Sequence, residues 1–279
     1  MYIQWFPGHM TKAMRMLEQS VGISDCIIYV LDARAVASSF NPKFDALIGS
    51  RPVLYVLNKC DMVEPAQLKA WERRLASEGK SAVSMDSTSG KFRSICISRL
   101  LDINSRVLDK YKSKGVNKCI RAMVVGVPNT GKSTLINCLS GSKRAATGNK
   151  AGVTRGKQWI SLSAGIDLLD TPGTLPPAFE DNVKAVHLAM IGSVKEEVLD
   201  ISELALETIA FFRQNADTRF TGRYKIDGFC DSDLATLEAI AVKRGFILGK
   251  DNIDYERASR AIIDDLRKLR IGKVMLDKA

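Results

Sequence analysis

Continuous apolar and β-branched runs punctuate the first two-thirds of the chain. They are Cys26–Leu31 (CIIYVL), Val53–Leu57 (VLYVL), Ser81–Ser84 (SAVS), Ile120–Val125 (IRAMVV), Gln158–Leu162 (QWISL) and Ile166–Leu169 (IDLL). Unbroken runs of this length predict strands buried on both faces rather than half-exposed ones. Amphipathic or charged stretches lie between most of them, notably 65–78 and 92–111. Strands alternating with helices predict an α/β domain, a mostly parallel six-stranded sheet with helices on both faces. After Pro176 the pattern changes. The stretch GTLPPAFED breaks the alternation, and helical periodicity follows over Glu203–Arg213, Ser232–Arg244 and Asp254–Leu269. The second of these ends in Lys243, Arg244 and Gly245, cations in the last turn and then a glycine suited to a left-handed cap. In the third, Tyr255, Ala258, Ala261, Ile262, Leu266 and Leu269 form one apolar stripe. The expected organisation is an α/β domain over 1–176 and a smaller all-helical domain, the candidate RNA-binding part, over 177–279.

Composition adds a class of partner. Lys and Arg number 41 against 31 Asp and Glu, a formal net charge of +10, which points to a polyanion, either nucleic acid or an anionic membrane surface. The 6 cysteines are scattered, without metal-ligand spacing, and the only histidines are His9 and His187, so a zinc site is not expected. Reduced thiols in the cytoplasm are. No apolar run approaches the roughly 20 residues of a membrane-spanning helix. The opening MYIQWFPGHM lacks the continuous apolar core of a secretory signal.

Chemistry concentrates in five short stretches. Gly126-x-x-x-x-Gly131-Lys132-Ser133, inside GVPNTGKST, matches the phosphate-loop pattern in full, between a predicted strand and a predicted helix. Its glycines let backbone N–H groups at Asn129, Thr130, Gly131 and Thr134 turn towards phosphates, and the helix N-terminus adds partial positive charge. Lys132 can reach the outer phosphates and the Ser133 hydroxyl can bind Mg²⁺. DTPG, Asp170 to Gly173, directly follows the strand run 166–169, with an acid placed to hold Mg²⁺ through water and a glycine whose N–H can meet a γ-phosphate. Between them NKAGVTRG carries Thr154, with two readings: a Mg²⁺ ligand that closes when the γ-phosphate is present, or an ordinary loop threonine. NKCD, Asn58 to Asp61, follows an apolar strand. Asp61 can accept from guanine N1–H and the exocyclic amine, Lys59 can lie along the base plane, and Asn58 can tether neighbouring loops. DSTSG places Ser87 where it can touch the base edge.

In an ordinary GTP-binding domain the phosphate loop precedes the base reader; here NKCD comes first. That order, with the opening QWFPGHM (Gln4–Met10), resembles the circularly permuted GTPases of the ribosome biogenesis GTPase A (YlqF) family, over essentially the whole chain. A permuted chain keeps the same sheet if old termini are joined and a surface loop is cut. The join here is the Lys- and Arg-rich stretch 90–119 and the cut falls just after DTPG, so the segment sensing the γ-phosphate runs into 177–279. Ordering or releasing that segment is the expected means of conveying nucleotide state.

The resemblance implies slow GTP hydrolysis that a large-subunit ribosomal precursor stimulates, nucleotide-dependent binding to that particle and its rRNA, a cytoplasmic location and a monomer. Thr174 and Leu175 stand where many GTPases place a water-orienting glutamine, and the family usually has an apolar residue at the Thr174 position. The resemblance offers His9 as the substitute; the plain alternative is a structural histidine. Asn129 is found in related GTPases that place K⁺ beside the phosphates, supplying charge that an arginine finger supplies elsewhere. Arg155 is the weaker candidate finger, and His187 and Trp159 read as structural. Two other classes stay open: a nucleic-acid-binding module in which GTP is a signalling ligand with little turnover, and a metabolic phosphate-loop kinase, which leaves NKCD unexplained.

Overall fold

The computed structural model describes residues 8–141, 158–162, 165–175 and 181–279. They fall into two compact units: the described residues up to 175 together with Met275–Ala279, and residues 181–274. The expected boundary near 176 lies outside the described residues.

The first unit holds six strands, β1 (Cys26–Asp32), β2 (Val53–Asn58), β3 (Ser81–Met85), β4 (Ile120–Val125), β5 (Gln158–Leu162) and β6 (Ile166–Asp170). Their order is β3-β2-β1-β4-β6-β5, parallel throughout except for β5, which runs antiparallel to β6 at the edge. Every predicted strand is present, several longer by one residue at the carboxyl end. β1 is buried along its whole length, as its unbroken apolar run requires. One face packs Cys96 and Leu100 of α4 (Arg93–Ile103) and Leu135, Ile136 and Leu139 of α6 (Lys132–Ser140). The other packs Leu17 and Val21 of α1 (Gly8–Val21), Phe44 of α2 (Pro42–Ile48), and Trp71 and Leu75 of α3 (Pro65–Ser77). The strand order reverses between β1 and β4, so a crevice opens at the carboxyl ends of those two strands.

The helical stretch expected over 92–111 is two helices, α4 and α5 (Ser105–Lys112). Asn104 separates them at φ −106°, ψ 7°, buried, with its side-chain amide donating to the Leu100 carbonyl at 2.7 Å. A buried asparagine that bonds its own preceding turn diverts backbone pairing and ends the helix.

The last five residues return to this unit. Leu276 N–H donates to the Arg34 carbonyl at 2.6 Å, and the Asp277 carboxylate accepts from the Ser38 N–H (2.7 Å) and hydroxyl (2.9 Å). The Trp71 indole donates to the Asp277 carbonyl at 3.4 Å, and Met275 joins the apolar cluster under α1–α3.

The second unit is helical among its described residues: α7 (Asn182–Met190), α8 (Ile201–Gln214), α9 (Thr218–Tyr224), α10 (Asp233–Arg244) and α11 (Tyr255–Arg267). Asp200 caps α8 by accepting from Ser202 and Glu203 N–H, and Gly245 ends α10 at φ 66° as expected. Phe212 stacks on Phe220 at 4.9 Å in its core. The α11 stripe buries Ala258, Ile262 and Leu266, but Tyr255 stands apart from it, 40% exposed with its hydroxyl donating to Glu238. Asp265 is buried instead, because Arg223 and Arg270 pair with it at 2.9 and 2.8 Å. His187, half-buried, lies edge-on to Phe211. Trp159 is not a core residue: it sits on edge strand β5, 39% exposed, with the Arg121 guanidinium 5.7 Å from its ring centre.

Candidate nucleotide site

Four of the five stretches singled out for chemistry follow the carboxyl ends of β2, β3, β4 and β6, around the crevice, and the fifth, NKAGVTRG, lies outside the described residues. The phosphate loop joins β4 to α6. Gly126 has φ +156°, and a β-carbon there would overlap the Val30 carbonyl. Gly131, at φ +92°, would drive a β-carbon into the Asn58 amide. Both positions therefore exclude side chains. Thr130 is buried, its hydroxyl donating to the Val127 carbonyl at 3.1 Å. Lys132 is buried at the first turn of α6 and donates to the Val127 carbonyl at 2.9 Å. Burial pushes its ammonium down to about 8, the Asp170 charge offsetting only part of that and Lys59 adding to it.

Asn58 ties two loops together. Its amide donates to the Thr130 carbonyl at 2.7 Å, and its Oδ1 accepts from the Ser87 N–H (3.2 Å) and hydroxyl (2.6 Å). The tether expected of Asn58 is present; the Ser87 hydroxyl is engaged with it. Lys59, at φ 61°, reaches the phosphate loop and donates to the carbonyl of Asn129, itself at φ 61°, at 2.6 Å. Two non-glycine residues in the left-handed region facing one another are backbone strain held in place by this contact. Asp61 is exposed in a short turn of 3₁₀ helix and makes no hydrogen bond or ion pair with another described residue, so its carboxylate is available to a ligand.

Asp32 and Arg34 belong to this network, and no motif in the sequence marks them. Arg34 Nε and Nη2 donate to the two carboxylate oxygens of Asp32 at 2.9 and 2.8 Å, and Lys59 Nζ donates to Oδ2 at 2.8 Å. Burial opposes ionisation of Asp32, but Arg34 and Lys59 outweigh it and hold its carboxyl well below the usual range. The only sequence signal was an acid ending a fully apolar strand run, with a cation two residues on.

On the other side of the phosphate loop the Ser133 hydroxyl donates to the Asp170 carboxylate at 3.1 Å, so the two residues predicted to hold Mg²⁺ meet. A hydroxyl beside a carboxylate is an all-oxygen donor pair, which suits a hard divalent cation. Gly173 passes so close to the loop that a β-carbon would stand 2.7 Å from both Lys132 Nζ and Pro128 Cα. Thr174 is buried, its hydroxyl donating to Met14 Sδ on α1 at 3.3 Å. His9 has its backbone in the first turn of α1, but its side chain lies outside the described residues, and Thr154 and Arg155 lie outside them altogether.

The family described as "50S ribosome-binding GTPase" matches residues 121–221, beginning on the strand that leads into the phosphate loop. "Ribosome biogenesis GTPase A" of Bacillus cereus is 36% identical over 278 residues, covering 99% of this chain and 94% of that one. The chain belongs to the ribosome biogenesis GTPase A family. The Bacillus licheniformis protein of the same name is 34% identical over 279 residues, 100% of this chain and 99% of that one. "Mitochondrial ribosome-associated GTPase 1" of Mus musculus is 30% identical over 296 residues, 99% and 90% of the two chains. Among solved structures, GDP-bound TM YlqF matches with a TM-score of 0.69 at 25% identity, over 95% of this chain and 99% of that one. GNP-bound YlqF from T. maritima matches with a TM-score of 0.67 at 25% identity, over 96% and 98%. Like its family, the chain is a GTPase with a permuted nucleotide domain, and a domain of this kind works on a nucleotide whose chemistry usually needs Mg²⁺. No helix among the described residues is long and apolar enough to cross a membrane.

Proposed function

We propose that this protein is a cytoplasmic, monomeric assembly factor of the large ribosomal subunit, hydrolysing GTP to GDP and phosphate and binding the precursor particle and its rRNA in a nucleotide-dependent manner. The observation that carries the reading is the meeting of phosphate loop, base-reading loop and DTPG at one crevice, in a chain matched end to end by ribosome biogenesis GTPases. Residues 1–176, with 275–279 returning to them, form the nucleotide domain and 177–274 the helical one, a candidate RNA-binding part. Asp61 reads guanine, with the Lys59 stem along the base and Asn58 and Ser87 fixing the loops around it. The 129–134 backbone and Lys132 hold the phosphates. Ser133 and Asp170 hold Mg²⁺, joined by Thr154, and Gly173 N–H meets the γ-phosphate. Mg²⁺ and, beside Asn129, K⁺ supply positive charge against the transferring phosphoryl group.

No glutamine follows Gly173, and Thr174 is buried against Met14 rather than turned to the crevice. Water must be oriented by another group. His9 lies five residues before Met14 on the same helix, about 7.5 Å along its axis. We assign it that role once the particle is bound. His9→Ala is then expected to keep GTP affinity and to lose most of the particle-stimulated kcat, because water positioning is a transition-state role. Exchanging K⁺ for Na⁺ at constant ionic strength slows the same stimulated step. Single-turnover assays with purified large-subunit precursors check both, and turnover that particles leave unchanged removes the assembly-factor reading. Co-sedimentation should favour the non-hydrolysable GTP analogue over GDP.

Lys132 gives a pH signature. Its pKa in the free protein is about 8, below the ordinary lysine value, and triphosphate oxygens restore the charged form. Binding of GTP therefore takes up close to one proton per site as pH rises above 8, and affinity declines over the same window. Titration calorimetry in buffers of different ionisation enthalpy measures the uptake, and a proton count of zero at pH 9 would contradict a buried, depressed Lys132.

A further inference from the structure

The net charge is not spread over the molecule. The helical unit, Phe179–Val274, carries 15 Lys and Arg against 17 Asp and Glu, so it is acidic by two. Within the nucleotide unit, residues 91–121 hold 9 cations and 2 acids, and residues 142–157 hold 5 cations and no acid. What remains of that unit balances, 12 against 12. The excess that calls for a polyanion therefore lies in two segments of the nucleotide unit, and of these 91–121 is the described one.

In that segment Arg93 donates to the Leu139 carbonyl, Lys118 pairs with Asp25 at 2.9 Å, and Arg121 sits over Trp159. Six other cations, Lys91, Arg99, Arg106, Lys110, Lys112 and Lys114, are exposed and make no ion pair with a described residue. Cys96, Leu100, Val107 and Leu108 commit the opposite side of α4 and α5 to the core, so the cations are held on the outer side. Arg106 and Lys110 are one turn apart, a like-charge pair that destabilises a helix by itself. Neither cation gains an ion pair with a described residue in return.

We infer that the outer face of α4, α5 and the turn to Lys114, the segment that joins the old termini of the permuted domain, is a docking surface for the phosphate backbone of RNA. The inference rests on the proposed ribosomal partner and names where on this chain it is met. Phosphate oxygens complement six cations that have no ion-pair partner among the described residues, and neutralising them releases counterions from the RNA. A membrane surface would need an amphipathic helix free to insert its apolar face. On α5 that face, Val107 and Leu108, is half-buried and already packed against the core. The helical unit, acidic overall, contributes local contacts without net attraction.

The test is binding to purified large-subunit rRNA over a salt series, with the full chain and two fourfold variants. Arg106→Gln/Lys110→Gln/Lys112→Gln/Lys114→Gln should weaken binding at least tenfold near 0.1 M salt and flatten the log–log salt slope by about 3, at ~0.7–0.9 per lost phosphate contact. Lys225→Gln/Lys243→Gln/Arg257→Gln/Lys268→Gln on the helical unit should change the slope by less than about 1. Both variants should keep the parent's GDP affinity, which reports an intact fold, and replacing Lys110, Lys112 and Lys114 by arginine should preserve RNA binding. If the first variant binds as the parent does, or the second loses as much, the surface is wrong while the ribosomal reading stands. If the parent binds no RNA, both fall. Binding to phosphatidylserine vesicles in place of RNA would make the occupant a membrane and overturn the inference.

Discussion

Asp32→Ala is expected to lower the melting temperature of the nucleotide unit by roughly 6–20 °C. Removing one member of a buried ion network strips the others of a compensating charge, which costs about 3–5 kcal/mol. For a unit of this size each kcal/mol moves the transition by roughly 2–4 °C. Arg34, buried, loses both of the bonds it makes to Asp32. Lys59 loses the anchor that aims it at the Asn129 carbonyl, so nucleotide affinity should fall as well. The folded Asp32 carboxyl titrates below its unfolded value, so its contribution is complete above about pH 4 and is lost only as the pH drops further. Differential scanning calorimetry of the parent and the variant at pH 7 decides the matter, and a shift below about 2 °C would mean that the trio adds nothing net.

Asp61→Asn should move base preference from guanine to xanthine. The amide keeps the size of the carboxylate but offers a donor where xanthine presents an oxygen. Losing one charge-assisted contact should cost GTP binding about 1.5–3 kcal/mol, an order of magnitude or two in Kd. Stability should hardly change, because Asp61 is exposed and bonds to no described residue. Large loss of affinity without loss of stability is the opposite of the Asp32 outcome, so the pair separates a ligand contact from the scaffold beneath it. Equal GTP affinity in mutant and parent would take Asp61 out of the base site.

The contrast between those two residues is also a contrast in what could be read beforehand. The phosphate loop, NKCD and DTPG were legible because each chemistry needs fixed residue types within a few positions, after a strand that announces itself by composition. The strands were legible because burial on both faces leaves no polar position to confuse the run. Asp32 was hidden because its partner Lys59 lies 27 positions away, a separation at which local periodicity carries nothing. Asn104 was hidden for a related reason: inside a helical stretch an asparagine is tolerated on the surface, and only its burial turns it into a break. Tyr255 fell on the apolar stripe by count but sits at the first position of α11, where its hydroxyl finds Glu238.

The return of Met275–Ala279 makes the helical unit an insertion rather than an appendage. Its chain leaves the nucleotide unit after DTPG and comes back to it at the Arg34 carbonyl and Ser38. The nucleotide unit therefore cannot be excised with one cut. A chain stopped after residue 178 would expose the apolar seat of Met275 and lose the bonds that Ser38 and the Trp71 indole donate to Asp277. Supplying the pentapeptide MLDKA in trans should restore part of what the cut removes, in the manner of a split protein completed by its missing piece.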